Sequence, residues 1–546
     1  MKTRILFIIP PYFNIDDFLA PKNNHIIPSF TIPYGILSLE AYVKKNAHKE
    51  VEFDLLDLNI VAYKICSQIK NNEEFIRRLD EALGDKINNL YDIVAISALF
   101  NSSYYYLKEI INSVKKKSQN TLCVIGGGLA SNLWKDILLE FKLLDGVCFG
   151  EGEIPLLDLI NSDNYFFTLS NHKSWITKDS ISNIPSATYI SNLDDIPIFD
   201  YKILNLEDYN SRSLDKTHCN DIYKRELTIH TSRGCPFNCV FCANSSLHGK
   251  KVRYMTEKRV IMEVDSMIHN QGMNVLLIED DHFMANKKRA INILTELQKK
   301  HIRIEFPNGI AVHAIDEKIS QLLKMSGVTT VQLAVESCSE FVLKKIIDKP
   351  HNVSQIRKAS RLLRSNGILV HAFIVLGLPG EMEGHRKESL EIIKEIGFDW
   401  VYFFIAAPIV GSRLYDLCID NDYLIEKDFK NHIVSKGSIK APGVDPDQIA
   451  SIAYIMNLDV NFINNNNIVN GAELKALPYF KHIVRKYPEH AFANYMLHVT
   501  LKAIGKSDDS ETYLNNYINI IHKNDEWNSY ATMFCLPKNI SSSQLL

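Results

Sequence analysis

Three cysteines crowd into eight residues of this chain, in the segment Thr231-Ser232-Arg233-Gly234-Cys235-Pro236-Phe237-Asn238-Cys239-Val240-Phe241-Cys242. The chain has ten cysteines, and the other seven (Cys66, Cys123, Cys148, Cys219, Cys338, Cys418, Cys535) are scattered, so no disulfide framework is written into it. In a reducing compartment a tight cluster points to metal binding or catalysis. The spacing Cys-x3-Cys-x2-Cys places three thiolates in one loop, and thiolates are the usual ligands of iron–sulfur clusters. A cubane has four irons, so three protein thiolates leave one iron open to chelate a small molecule. Two other readings compete. A structural zinc site takes four protein ligands, and a distant histidine could complete one here, although no second cysteine pair exists. A ferredoxin-like cluster needs a fourth cysteine and a different spacing. Phe237 and Phe241 either shield such a site or belong to the core.

The elements around this loop say how it is held. It follows Glu226–Thr231, the first of six strand candidates; the others are Asn274–Glu279, Arg303–Pro307, Thr330–Val335, Val370–Leu376 and Trp400–Ile405. Helical patterns alternate with them, as at Lys258–His269, Lys287–Lys299, Asp316–Met325, Val353–Ser365 and His385–Ile396. Six strand–helix repeats predict a partial (βα)6 TIM-type barrel over residues 225–412, with its chemistry on loops at the carboxyl ends of the strands. Four further segments fall at such ends: Glu279-Asp280-Asp281-His282-Phe283, Ala334-Val335-Glu336-Ser337, Gly377-Leu378-Pro379-Gly380-Glu381 and Ala406-Ala407-Pro408. Each has a local reading too. Acidic residues after strands often cap helices, and Gly-Leu-Pro-Gly makes a turn. Their shared position at one mouth favours a site.

Ahead of the barrel, residues 1–150 show another alternating series, with strand runs at Thr3–Ile9, Val51–Asp57, Asp92–Ser97, Thr121–Gly126 and Gly146–Phe149. Helical patterns such as Tyr34–Asn46 and Tyr104–Lys117 lie between them. Largely apolar strands separated by helices predict a parallel, doubly wound, Rossmann-like sheet. Ligands of such sheets bind beyond the carboxyl ends of the strands. Residues 151–224 read as a connector. Residues 413–546 read as helical, with a polar run at Asn461–Asn467. Within them, Ala472–Ile520 reads as two amphipathic helices around Tyr487-Pro488, either one degenerate tetratricopeptide-like unit or a plain helical cap.

Composition limits the rest. A formal net charge of -3 over 546 residues argues against a broad nucleic-acid footprint. No apolar run is long enough to span a membrane. The apolar core of the amino terminus, Ile5–Ile9, is too short for a secretory signal and ends at Pro10-Pro11, so it reads as a first strand in a cytoplasmic protein.

The cysteine loop resembles the signature of the radical S-adenosylmethionine (SAM) superfamily. That resemblance, spanning about Glu226 to Pro408, implies a [4Fe-4S] cluster on Cys235, Cys239 and Cys242 with SAM on the open iron. It implies reductive cleavage of SAM to methionine and a 5′-deoxyadenosyl radical, with a one-electron donor such as flavodoxin or ferredoxin. It further implies contacts from Asp280 and Asp281 to the SAM amino group, from Glu336 to the ribose, and from the Gly377–Gly380 turn to the adenosine. Arg253-Tyr254, followed by Glu263, resembles the stretch after the cluster loop in the cobalamin-binding (class B) group. The leading sheet is similar to that group's domain, as are Ser29–Leu37, Ser97-Ala98, Gly126-Gly127-Gly128 and Gly150-Glu151-Gly152-Glu153. Ser97, Gly126, Gly127, Gly128, Gly150 and Glu151 are thereby expected to border a corrin. Small residues let backbone approach a large flat ligand. The glycine triplet could instead grip a phosphate, though it lacks the G-x-G-x-x-G form. The Asp-x-His-x-x-Gly element of histidine-ligated cobalamin domains is absent.

The expected function is cobalamin-dependent methylation of an unactivated carbon in a small-molecule or peptide substrate. The loops Ser97–Ser102, Gly126–Ala130, Asn244–His248 and Pro408–Arg413 are expected to line the gap between corrin and barrel. Rival readings are a radical rearrangement, cyclisation or oxidation without methyl transfer, and a non-enzymatic corrin or metal sensor. A methylthiotransferase would need a cysteine motif in the first domain, which Cys66, Cys123 and Cys148 do not form.

Overall fold

The computed structural model describes residues 2–13, 31–65, 68–87, 91–209, 225–426 and 436–538. Ser29, Phe30, Cys66 and Cys219 lie outside them.

The amino-terminal sheet has strands β1 (Thr3–Ile9), β2 (Val51–Asp57), β3 (Ile93–Ser97), β4 (Leu122–Gly126), β5 (Gly146–Cys148) and β6 (Trp175–Ile176) in the order β2-β1-β3-β4-β5-β6. All neighbours pair in parallel except β6, which is antiparallel to β5. Its strands are nearly continuous apolar runs because helices cover both faces. Helices Tyr34–Asn46 and Tyr104–Lys117 have the bounds the periodicity predicts. The stretch read as a connector does more than connect. Helix Glu153–Asn161, helix Tyr165–Asn171 and β6 bury Leu156, Leu159, Ile160, Leu169 and Trp175 against this sheet. A two-residue edge strand carries too little periodicity to be read from sequence.

The second unit holds β7 (Glu226–Ile229), a short antiparallel pair β8 (Ser232–Arg233) and β9 (Arg253–Tyr254), then β10 (Val275–Ile278), β11 (Arg303–Glu305), β12 (Thr330–Glu336), β13 (Leu369–Leu376) and β14 (Trp400–Ile405). Strands β7, β10 and β11 form one parallel sheet, and β12, β13 and β14 another. Parallel bridges Ile304–Val328 and Ile310–Leu333 join β11 to β12. The result is the partial six-stranded barrel that the alternation predicts.

The carboxyl-terminal helices close the open flank at β14. Helix Pro446–Leu458 lies on this strand. The Asn461 side chain accepts from Val401 N–H at 2.8 Å and donates to Val401 C=O at 2.7 Å, replacing the missing neighbour strand. The polar asparagine run is therefore structural: Asn461, Asn465 and Asn467 are buried, and Asn465 caps helix Asn466–Val469. Beyond it, helices Glu473–Lys486, Ala491–Ala503, Ser507–Lys523 and Asp525–Met533 pack in succession. Tyr487-Pro488 does break the first two, but the span expected to hold a pair holds three. Gly505, at φ 78°, makes the extra turn. Among the described residues, no helix is long and apolar enough to cross a membrane.

Candidate active site

The cysteine loop leaves β7 and is pinned from four sides. Asp280, just past β10, accepts from Thr231 N–H, Thr231 Oγ1 and Ser232 Oγ. Asp281 accepts from Gly234 N–H at 2.8 Å. Val240 N–H donates to Ile347 C=O, and Leu414 N–H donates to Val240 C=O. Gly234, at φ 94°, makes the turn into the first cysteine. A Cβ there would lie 2.7 Å from Lys251 O, so only glycine fits.

Cys235, Cys239 and Cys242 lie within electrostatic reach of one another. Burial pushes all three thiols up, while backbone N–H groups of Phe237 and Asn244 and the Lys349 ammonium oppose that shift. Among the described residues, no three ligand side chains converge on one point as a mononuclear site requires. Three thiols in one loop can each bind a different iron of a cluster.

Glu336 closes β12 at a bulge with φ 67°, a strained geometry for a non-glycine residue. Its carboxylate pairs with Lys349 at 3.0 Å. Burial works against the Lys349 charge, but Glu336 and then Cys239 hold it protonated. Lys349 was invisible to sequence reading, because its partners lie in other loops. At Gly377, φ is 83° and its N–H donates to Glu381 at 2.6 Å; Gly380, at φ 90°, donates to Pro442 C=O. Burial pushes Glu381 up to about 7. An acid, an ammonium and a glycine turn thus stand at the strand ends of the loop-bearing mouth.

Two acids expected at the cofactors also have partners within the protein. Both Asp280 oxygens accept from Thr231 and Ser232, so Asp280 holds the cysteine loop. Burial, only partly offset by those hydrogen bonds, raises it to about 6. Glu151 is likewise committed. It accepts from Arg253 Nη1 at 2.8 Å, Arg253 Nη2 at 2.5 Å and His248 Nδ1 at 2.8 Å, and pairs with Arg233 at 3.2 Å. Arg233 also binds Glu153 at 2.8 Å and Ser38 at 2.9 Å. Burial alone would raise the Glu151 pKa, but the Arg233, Arg253 and His248 contacts hold it well below the carboxylate range. These residues form a buried ionic tie between the leading sheet and the cysteine loop.

Against this tie lies a cavity of about 310 Å³ beyond the carboxyl ends of β3, β4 and β5. Ser97, Gly126, Gly127 and Gly150 border it, with Leu39, Leu156 and Trp175 from the sheet side. Glu151, Glu153, Arg233 and His248 make the wall it shares with the cysteine loop. Gly127 (φ 103°) has no room for a Cβ beside Ala98 C=O, and one at Gly150 (φ 79°) would lie 2.5 Å from the Ala187 Cβ. Gly128 stands beside the cavity, with Leu99 O 3.6 Å and Leu247 4.0 Å from its Cβ position. Helix Asn244–His248 packs on helix Gly128–Asn132, and Gly411 abuts Asn132. Of the four loops expected to line a gap, Ser97–Ser102, Gly126–Ala130 and Asn244–His248 supply residues to the cavity, and Pro408–Arg413 touches the helix beside it through Gly411. A mostly apolar, glycine-rimmed slot fits a large flat ligand.

Residues 229–402 match the radical SAM superfamily, and residues 26–160 match the B12 binding domain. The chain thus carries a radical SAM domain behind a B12 binding domain. Its cofactors are a [4Fe-4S] cluster, SAM and cobalamin. An uncharacterized methyltransferase of Pyrococcus horikoshii is 28% identical over 67% of this chain and 78% of its own length. The cytidylyl-2-hydroxyethylphosphonate methyltransferase of Streptomyces wedmorensis is 26% identical over 80% and 87%. The methyltransferase TsrM from Kitasatospora setae, solved with tryptophan and aza-SAM, superposes with a TM-score of 0.59 at 16% identity, covering 77% of this chain and 76% of TsrM. The radical enzyme OxsB, solved with aqua-cobalamin and SAM, gives 0.65 at 14% identity over 97% and 80%. At such identities the two structures speak for the fold.

Proposed function

We propose that this radical SAM enzyme methylates an unactivated carbon with the help of cobalamin. One observation carries the reading: the glycine-rimmed cavity and the cysteine loop share the buried wall of Glu151, Glu153, Arg233 and His248. Two cofactor sites that share a wall can serve one substrate. The names of the relatives, which are methyltransferases, point the same way.

When bound, the cluster and SAM supply one-electron chemistry and cobalamin a transferable methyl group. The residues supply placement. Cys235, Cys239 and Cys242 would hold the cluster. Asp281, Glu336, Gly377 and Gly380 would line the SAM site, with Lys349 orienting Glu336. Ser97, Gly126, Gly127, Gly128 and Gly150 would bring backbone against the corrin face. Glu151 and Asp280 are positioning residues that fix the wall and the cysteine loop. Leu99, Leu247 and the Pro408–Arg413 loop would exclude water from the gap. In this division residues 1–150, with the helices and edge strand that follow, carry cobalamin, 225–412 carry cluster and SAM, and 413–546 brace the barrel. The substrate would be a small molecule or peptide, the electron donor a flavodoxin or ferredoxin, and the compartment the reducing cytoplasm.

The test is anaerobic turnover with methyl-labelled SAM and a low-potential reductant. Label in the product together with 5′-deoxyadenosine is the expected result. Deoxyadenosine without product label would overturn methyl transfer, and full activity after Cys235→Ser would overturn the cluster assignment.

A further inference from the structure

Two histidines at the barrel mouth are used neither by the ionic tie nor by the residues assigned to cofactors. We infer that His282 and His313 form an oxyanion-binding site for the substrate, an assignment that rests on the function proposed above. His282 follows β10, and His313 sits in the turn Val312–Ala314 after β11, so both occupy carboxyl-end loops. Phe237, between the first two cluster cysteines, touches both rings, with centroids 5.2 Å from His282 and 5.6 Å from His313. The two imidazoles lie 5.7 Å apart. This triangle of rings therefore abuts the loop at which the radical chemistry starts.

The polar edges of these rings are bare. Among the described residues neither imidazole has a hydrogen-bond partner, although His282 is only 8% exposed. Neither of its ring nitrogens is a fully buried unpaired atom, so each keeps some exposure. Both imidazoles therefore keep hydrogen-bonding capacity for a group that enters the mouth. The charges bearing on the pair are Lys349 and, for His313, Lys287. Both lysines are already paired, with Glu336 and Asp316. Among the described residues the charges that bear on either ring are all positive, so the ring nitrogens stand in a surrounding that favours negative charge. A phosphate, phosphonate or carboxylate group offers the matching acceptors.

That oxyanion could belong to the substrate or to the methionine carboxylate of SAM, and the experiment separates the two. Anaerobically reconstituted wild type, the His313→Phe variant and the His282→Phe/His313→Phe double variant are titrated calorimetrically with methylphosphonate, inorganic phosphate and acetate. SAM is titrated separately, and iron content and Tm are recorded. At least one oxyanion should bind wild type at millimolar concentration. It should bind His313→Phe at least threefold more weakly and the double variant at least tenfold more weakly, with SAM affinity and iron content unchanged. His313 is exposed, so its variant keeps the test valid if the double variant misfolds. No oxyanion binding by wild type, or equal binding by the variants, overturns the site. A parallel loss of SAM affinity assigns the anion to SAM and overturns the substrate assignment. Failure of wild type to cleave SAM while still binding the oxyanion would instead count against the proposed function.

Discussion

Glu151 shows how one side chain can belong to two sites at once. Its carboxylate faces two arginines and a histidine inside the protein, and all four groups line or back the cavity wall. Removing one partner of such a buried cluster strands the others, at a cost of about 3–5 kcal/mol. Glu151→Gln should therefore lower the Tm and release cobalamin on gel filtration, while iron content per folded protein stays near normal. A drop in iron as large as the drop in cobalamin would argue against placing the residue on the corrin side of the tie. Residues of this kind explain what sequence could not reveal at this scale. The three cysteines were legible because their geometry is local, within eight residues. Glu151 and Arg253 are 102 residues apart, and nothing in either neighbourhood marks the pair. Asp280 was legible as an important acid, yet its job depends on hydroxyls 48 and 49 residues away.

Among the elements, the carboxyl-terminal helices are bound together by aromatic packing with a titratable ring inside it. His490 caps helix Ala491–Ala503 by accepting from Ala493 N–H, and its ring lies 4.7 Å from that of Phe462 and 4.8 Å from that of Trp527. Burial depresses its pKa to about 4. The unfolded chain takes up this proton below about 6.5, the folded chain only near 4, so stability rises with pH across that window. Acidification from pH 6.5 to pH 4 should cost this unit on the order of 2 kcal/mol. Urea midpoints measured against pH would show the slope, and His490→Asn, which keeps a capping side chain, should flatten it. An unchanged slope in that variant would place the titration elsewhere. The long periodic helices and the barrel strands were readable because amphipathic period and alternation persist over many residues. Strand β6 and the asparagine run were not, because their roles come from an edge they complete.

For the molecule as a whole, the decisive feature is the gap. Two units that could be read separately are locked so that four loops, from β3, β4, the cysteine loop and the end of β14, meet. Ligand binding to such a preformed cavity stabilises the folded chain by mass action, by about 2.7 kcal/mol at a hundredfold excess over Kd. Added cobalamin should raise the wild-type Tm by several degrees. Gly127→Ala should lose most of that increment, since its Cβ would collide with the Ala98 carbonyl oxygen at a φ of 103°. An undiminished increment in Gly127→Ala would place the corrin away from the glycine rim.

The sequence by itself determined the cluster loop, the order of the two α/β units and the bounds of helices Tyr34–Asn46, Tyr104–Lys117 and Val353–Ser365, because each is a pattern of near neighbours along the chain. Only the tertiary structure decided which acids hold ligands and which hold the protein, how Lys349 reaches Glu336 beside the thiols, and that the open edge of β14 is closed by Asn461. Those choices depend on contacts between residues far apart in sequence. Burial makes each such contact strong and leaves no periodic trace of it in the chain.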